Sequence, residues 1–184
     1  AYVSNIEDNY ADVLAKGGLE IVFDNLQEAV NNPTNIKARQ NMHDASFMAG
    51  LAFNNAWLGI VHSLSHQVGA LYGIPHGAAN AIFLPNVIRY NAKVSTRFPD
   101  LAKVIGKETA EDLAQAIEKL RSDVNNISSI KEFGISKEDW EKNLDYISNN
   151  ALVDPCTGFN PRVPVLEDLK AIYNACYEGI VFEG

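Results

Sequence analysis

Residues 45–77 read ASFMAGLAFNNAWLGIVHSLSHQVGALYGIPHG, a stretch dominated by Ala and larger apolar residues. After Ser46 the apolar residues fall on every side of a helix, which is typical of a helix that is buried all round rather than one on the surface. Gly59 indicates a break in this helical stretch, and Pro75 indicates a turn after which a new helix begins at His76. The stretch therefore predicts a central pair of buried helices.

Outside this stretch, apolar residues again repeat at helical spacing and no segment has the alternating pattern of a strand. One helix is predicted to end at Asn31. Thr109 and Ser136 are capping signals that open further helices, and Pro164 begins the last helix. Residues 148–164 are predicted to form a long irregular loop. We predict an all-α helical bundle that forms a single domain over residues 1–184. The apolar residues that repeat at helical spacing form four stripes: Leu19, Phe23, Leu26 and Val30; Leu113, Ile117, Leu120 and Val124; Trp140, Leu144 and Ile147; and Leu166, Leu169, Ile172, Tyr173 and Cys176.

Composition excludes several classes of protein. With 184 residues, 47% of them hydrophobic, the chain can bury a full core. The net charge of −8 carries no basic cluster, so nucleic acid is not an expected partner. No apolar run is long enough to cross a membrane, and we expect no membrane partner. Cys156 and Cys176 are expected to be free thiols in a cytoplasmic protein.

Three of the four histidines fall within fifteen residues, at positions 62, 66 and 76. Imidazole is the commonest neutral metal ligand and the usual physiological acid or base, so the cluster indicates metal binding or proton transfer. His62 and His66 share one helix face and are candidate paired ligands, while His66 could instead be a proton relay or a structural residue. The zinc-protease pattern His-Glu-x-x-His is absent because Ser63 replaces the glutamate. His43 lies in a polar turn and is expected at the surface.

The other notable residues have ordinary explanations. Phe53 and Trp57, at helical spacing, are expected to be core residues. Cys156 lies in the predicted loop and is either a small apolar filler or a pocket residue. Arg162 binds an anion or the carbonyls of helix ends. A metal needs more than two imidazoles, and no Asp-x-x-x-His pattern occurs in the chain, so further ligands are expected from elsewhere.

Residues 41–85, together with the loop Asp154-Pro-Cys-Thr-Gly-Phe-Asn-Pro-Arg162, resemble the signature regions of the iron-containing (group III) alcohol dehydrogenases. The resemblance implies an all-helical carboxy-terminal domain of the dehydroquinate synthase-like type. In that family this domain packs behind an amino-terminal α/β domain that binds NAD(P). The resemblance covers only the carboxy-terminal part of the family, so the chain is expected to be a fragment that lacks the dinucleotide-binding domain.

Carried over by position, the resemblance implies that His62 and His76 are metal ligands for Fe²⁺ or Zn²⁺, alongside an Asp and a His that precede the segment resembling Ala1–Ser4. It places His66 near the nicotinamide and substrate as a catalytic proton relay, and it places Phe53 and Cys156 in the substrate pocket. The implied reaction is the NAD- or NADP-linked interconversion of a small primary alcohol and its aldehyde, with most of the dinucleotide site outside this chain. We also expect a homo-oligomer.

A different class of function remains open at this stage. The chain could be a stand-alone helical metal-binding or interaction domain that has kept this scaffold without catalysis. An upstream Asp-x-x-x-His with a Gly-rich βαβ pattern in the same reading frame would favour the enzyme, since these features would supply the missing ligands and the dinucleotide site.

Overall fold

The computed structural model describes residues 1–124 and 127–183 and contains only helices and connecting segments within them. This confirms the predicted all-α fold. None of the described helices is long and apolar enough to cross a membrane. The α-helices are α1 (Asn9–Asn31), α2 (Ile36–Ala56), α3 (Ile60–Tyr72), α4 (His76–Asn91), α5 (Phe98–Val104), α6 (Ala110–Asp123), α7 (Lys137–Val153) and α8 (Leu166–Glu178), with 3₁₀ turns at Ile130–Phe133 and Pro155–Phe159.

Helix α3 lies at the centre of the main core. Its apolar face, which includes Leu64 and Val68, is fully buried against α4, α7 and α8. Two polar side chains of this core are paired, as buried groups generally are: the Tyr173 hydroxyl donates to the Leu64 carbonyl at 3.0 Å, and Trp140 Nε1 donates to Asn174 Oδ1 at 2.9 Å. The core therefore holds α3, and the side chains on its opposite face, in a fixed orientation.

Several predicted helix boundaries are confirmed. Helix α1 ends at Asn31, and Thr109 forms a reciprocal capping box with Asp112 at the start of α6. Ser136 caps α7 by accepting the Asp139 backbone N–H. The last helix begins at Leu166, two residues after the predicted start at Pro164. Both cysteines are free thiols, as predicted.

Three predictions were wrong. Residues 148–164 are not an irregular loop throughout, because α7 continues to Val153 and a 3₁₀ turn follows. Helix α2 is not buried all round, since the Phe47 side chain is 64% exposed. Phe53 and Trp57 are also exposed rather than core, because α2 packs mainly against α1 and leaves its other face open.

Trp57 is where the continuous helical pattern breaks. It has a positive φ of 61°, the only such value for a described residue other than glycine. A non-glycine residue with positive φ is uncommon and carries local strain. The Trp57 ring stacks on Phe159 with a centroid separation of 4.5 Å. This contact holds the end of α2 against the 3₁₀ turn that follows α7.

Asn160 joins the segment after α7 to the start of α3 and the end of α4. Its side chain is 2% exposed. Its Oδ1 accepts hydrogen bonds from the Ile60 N–H at 3.2 Å and from Asn91 Nδ2 at 3.0 Å, and its Nδ2 donates to Asn91 Oδ1 and the Arg162 carbonyl, both at 2.7 Å. A Cβ at Gly59 would lie 2.7 Å from Asn160 Oδ1, so only glycine allows this close approach.

We expect Asn160→Ala to lower the free energy of unfolding by about 2–3 kcal/mol, because it leaves the buried Ile60 N–H and Asn91 amide without partners. Urea denaturation followed by circular dichroism measures the change. Asn55→Ala is the control: its amide is exposed and donates only within its own helix, so it should change stability by no more than about 0.5 kcal/mol. Equal losses in the two variants would show that Asn160 does not hold these elements together.

Candidate metal and proton-transfer site

Two helices joined by a short turn carry the clustered histidines. His62 and His66 lie on α3, and His76 is the first residue of α4. Helix α3 ends at Gly73, which adopts the left-handed conformation (φ 68°) and donates its N–H to the Gly69 carbonyl. Glycine adopts this conformation without the cost that a Cβ imposes. The turn brings the start of α4 back beside α3, as the sequence predicted.

The three imidazole rings form one cluster. The centroids of His62 and His76 are 5.1 Å apart, those of His66 and His76 are 5.5 Å apart, and those of His62 and His66 are 6.1 Å apart. The rings of His66 and His76 lie almost parallel, at 17°. All three histidines that the sequence singled out therefore lie together, while His43 is exposed on α2, as predicted.

Asn80, one turn after His76 on α4, contacts two of these rings. Its Nδ2 lies 3.0 Å from His76 Nε2 and 3.4 Å from His62 Nε2. The Nε2 atoms of both rings therefore face the same small region. Asn80 Oδ1 is buried and has no hydrogen-bond partner in the structure. Asn80 was not predicted from the sequence, although its i+4 spacing from His76 was a usable signal.

The environment of His62 keeps this ring neutral. Burial, followed by the nearby His76 and His66, lowers the pKa of His62 from 6.5 to about 4, and Asp154 only partly opposes this effect. An imidazole binds a metal through an unprotonated nitrogen. At neutral pH, protons therefore compete little for His62.

His66 has a different partner from the other two rings. Its Nδ1 lies 2.8 Å from Oδ2 of Asp154, which follows α7 and is 88 residues away in sequence. The side chain of His66 is 41% exposed, and that of Asp154 is 10% exposed. Cys156 lies beside this pair, with its sulfur within 4.8 Å of the ligand atoms of both residues. Asp154 is the first residue of the Asp154–Arg162 motif, but the sequence alone predicted no role for it.

An apolar cavity of about 490 Å³ lies between the α1–α2 pair and helices α4–α6, and His62 and Phe53 are among the residues that line it. A second cavity of about 210 Å³ is lined by His62, Asn80 and Asn160. The cavities show that space is available beside His62. Phe53, predicted as a pocket residue from the resemblance, lies on the wall of the larger cavity, whereas Cys156 lies on the His66 side of the cluster.

Arg162 contacts helix-end carbonyls, one of the two alternatives predicted from sequence. Its Nη1 donates to the Tyr90 carbonyl at 3.2 Å, and its guanidinium lies 3.9 Å from the centre of the Tyr90 ring. Arg162 therefore neutralises the carboxyl end of α4, where the helix dipole favours a positive charge.

The donor set fits half of a metal site. His62 and His76 present their Nε2 atoms towards one region, and Fe²⁺ and Zn²⁺ both accept imidazole ligands. A metal held by His62 and His76 would need further ligands, since two imidazoles do not complete a four-coordinate site. Fold and site together define the class: an all-helical domain with a cluster of three histidines beside an apolar cavity.

Comparison with known proteins identifies the family. The model of the Fe-containing alcohol dehydrogenase family, C-terminal, matches residues 1–177, and the chain belongs to this family. It is 37% identical over 186 residues to the NADPH-dependent butanol dehydrogenase of Clostridium saccharobutylicum, covering 97% of this chain and 47% of that protein. It is 34% identical over 207 residues to the bifunctional aldehyde-alcohol dehydrogenase of Escherichia coli K12, covering 97% and 23% respectively.

Solved structures show the same helical arrangement. The iron-containing alcohol dehydrogenase of Thermococcus thioreducens matches with a TM-score of 0.90 at 30% identity, over 97% of this chain and 47% of that one. A 1,3-propanediol oxidoreductase matches with a TM-score of 0.87 at 34% identity, over 95% and 47%. The chain thus spans about half the length of these relatives, or less than a quarter of the bifunctional one.

The lowered pKa of His62 predicts that the folded state becomes less stable as the pH falls. Between pH 6.5 and about 4 the unfolded chain binds a proton at His62 that the folded chain does not, so the folded state loses stability as the pH falls through this interval. Between pH 7 and pH 5, we expect the free energy of unfolding of His62→Gln to fall by about 1 kcal/mol less than that of the unsubstituted chain. This difference is smaller than the full pKa shift of His62 would give, because the ring is partly solvated.

Urea denaturation at the two pH values, with a chelator present, measures this difference. His43→Gln is the matched control, because His43 is exposed on α2 and should follow the unsubstituted chain. If His62→Gln loses as much stability on acidification as the control, then His62 is not held neutral by its surroundings.

Proposed function

We propose that the chain is the carboxy-terminal half of a longer, metal-dependent alcohol dehydrogenase, which interconverts a small primary alcohol and its aldehyde with NAD or NADP. The observation that carries the proposal is that the Nε2 atoms of His62 and His76 both face one Asn80 amide, beside an apolar cavity. Membership of the iron-containing family supports the same reaction class. The portion that the relatives carry ahead of this chain would supply the remaining ligands and most of the dinucleotide site.

In this proposal, different residues of the chain would have different roles in the reaction. His62 and His76 would hold Fe²⁺ or Zn²⁺. When bound, the metal supplies Lewis-acid polarisation of the alcohol oxygen and the nicotinamide supplies the hydride acceptor. His66 is the catalytic proton relay, because its side chain is 41% exposed and is paired with the Asp154 carboxylate. Phe53, on the wall of the larger cavity, and Cys156, beside His66, would line the substrate pocket.

The surface of the chain supports a homo-oligomer. Large apolar side chains on the α1–α2 pair are exposed, with Ile36 at 80%, Val13 at 70% and Phe47 at 64%. Exposed apolar surface of this kind is typically covered by another domain or another subunit. We therefore propose that the longer enzyme associates with further copies of itself through surfaces that include α1 or α2.

In the longer enzyme, we expect His62→Ala or His76→Ala to remove the metal and nearly all turnover, because loss of one ligand opens the site and leaves the others without a fixed geometry. Elemental analysis and alcohol oxidation, measured on the same preparation, test this. His43→Ala should keep both metal and activity. Full metal content with a near-normal rate in His76→Ala would contradict the assignment of His76.

His66→Ala in the longer enzyme should retain the metal while kcat falls by about 10²–10⁴, the usual cost of a lost general acid or base. The same two measurements separate this outcome from that of the ligand variants. Loss of metal in His66→Ala would show instead that His66 is a ligand, in agreement with the i, i+4 pairing that the sequence alone suggested.

A further inference from the structure

We propose that Asp154 is a positioning residue that fixes one tautomer of His66, with the proton on Nδ1 and the lone pair on Nε2. This inference deepens the proposed function and rests on it for its catalytic meaning. It starts from the 2.8 Å separation of His66 Nδ1 and Asp154 Oδ2. Because Nδ1 and Nε2 lie on opposite sides of the ring, the pairing leaves Nε2 directed away from Asp154 and free to accept a proton.

The local structure holds the Asp154 carboxylate in place. Asp154 follows α7 and caps the 3₁₀ turn that comes next, where its Oδ1 accepts the Cys156 N–H at 2.9 Å. The Ser63 hydroxyl on α3 lies 3.4 Å from the same oxygen. Thr157 donates to the Ala151 carbonyl at 2.6 Å and lies 2.7 Å from Ser63 Oγ. Oδ1 is thus committed to the turn, and Oδ2 is directed at His66.

The charge of Asp154 decides which atom donates. Burial raises the pKa of this carboxyl group, but the hydrogen bonds from His66 and from the Cys156 backbone outweigh it and leave the pKa below its usual value. An ionised carboxylate only accepts hydrogen bonds. The proton shared with His66 therefore resides on Nδ1, the arrangement by which a carboxylate orients a catalytic imidazole in other enzymes.

The same three side chains could also be considered a metal site, since His66, Asp154 and Cys156 offer one ligand atom each. Both carboxylate oxygens, however, already accept hydrogen bonds. Burial, followed by the neighbouring Asp154, raises the pKa of the Cys156 thiol to about 11, so the sulfur is protonated at neutral pH. A metal at this place would have to displace the thiol proton and the hydrogen bonds of both carboxylate oxygens. The geometry therefore favours a hydrogen-bonded pair.

Asp154→Asn provides a sharp test, because the turn dictates which way the new amide faces. Asparagine is as good a capping residue as aspartate, and its oxygen must remain on the Cys156 N–H to keep the cap. Its NH₂ group then takes the place of Oδ2 and faces His66 Nδ1. An amide nitrogen only donates, so His66 has to turn Nδ1 into an acceptor and carry its proton on Nε2.

The experiment is long-range ¹H–¹⁵N NMR of the 184-residue chain with labelled histidine, without added metal and at a pH where His66 is neutral. The spectrum identifies the protonated nitrogen of each ring. We expect His66 to be protonated on Nδ1 in the unsubstituted chain and on Nε2 in Asp154→Asn. Asp24→Asn, which removes one exposed charge from α1, is the control and should leave the tautomer unchanged. A His66 protonated on Nε2 in the unsubstituted chain, or the same tautomer in both chains, overturns the proposal.

A second measurement separates this inference from the proposed function. In the longer enzyme, Asp154→Asn should lower kcat for alcohol oxidation by about 10–10² with unchanged metal content, since the relay then begins with the wrong nitrogen protonated. If the tautomer changes as expected but the longer enzyme oxidises no alcohol, the proposed function fails and the positioning role of Asp154 stands. If the tautomer changes and kcat does not, His66 is not the relay.

Discussion

The buried amide of Asn160 is the interaction on which the arrangement of the site depends. Its four hydrogen bonds reach the first residue of α3, the last residue of α4 and the segment that follows the 3₁₀ turn. A fully satisfied buried amide is specific, because any shift of one partner leaves another unpaired. Asn160 therefore fixes the distance between α3, which carries His66, and the turn that carries Asp154.

His62 and His66 have different surroundings, although the two rings are chemically identical. His62 is the ring whose pKa is lowered to about 4, and it lies on the wall of both cavities. His66 faces a carboxylate and is partly exposed. Burial and like charges favour a neutral ligand, whereas a carboxylate partner favours a ring that exchanges protons. In the proposed function, the division between ligand and relay would follow from these surroundings rather than from residue type.

The fold and the candidate residues could be predicted from the sequence, but the contacts between distant residues could not. Helical stripes, capping signals and the turn at Pro75 were local features, and they predicted most helices, while the pairing of His62 with His76 as ligands came from the family resemblance. The contacts of Asp154 with His66, and of Asn160 with Ile60, join residues 88 and 100 positions apart. No spacing rule reaches over such distances. The exposure of Phe53 and Trp57 was missed for a related reason: apolar spacing does not tell which face of a helix another element covers.

The α1–α2 pair differs from the rest of the bundle in how it is held. The two helices pack mainly against each other and touch the body through fewer contacts with α5 and α6, whereas α3 packs against α4, α7 and the 3₁₀ turn at Pro155–Phe159. Elements with few contacts to the main core open locally at a lower free energy than central helices. Amide protons of α2 should therefore exchange with solvent sooner than those of α3. The cavity wall that bears Phe53 can then open and close while the imidazole cluster keeps its geometry.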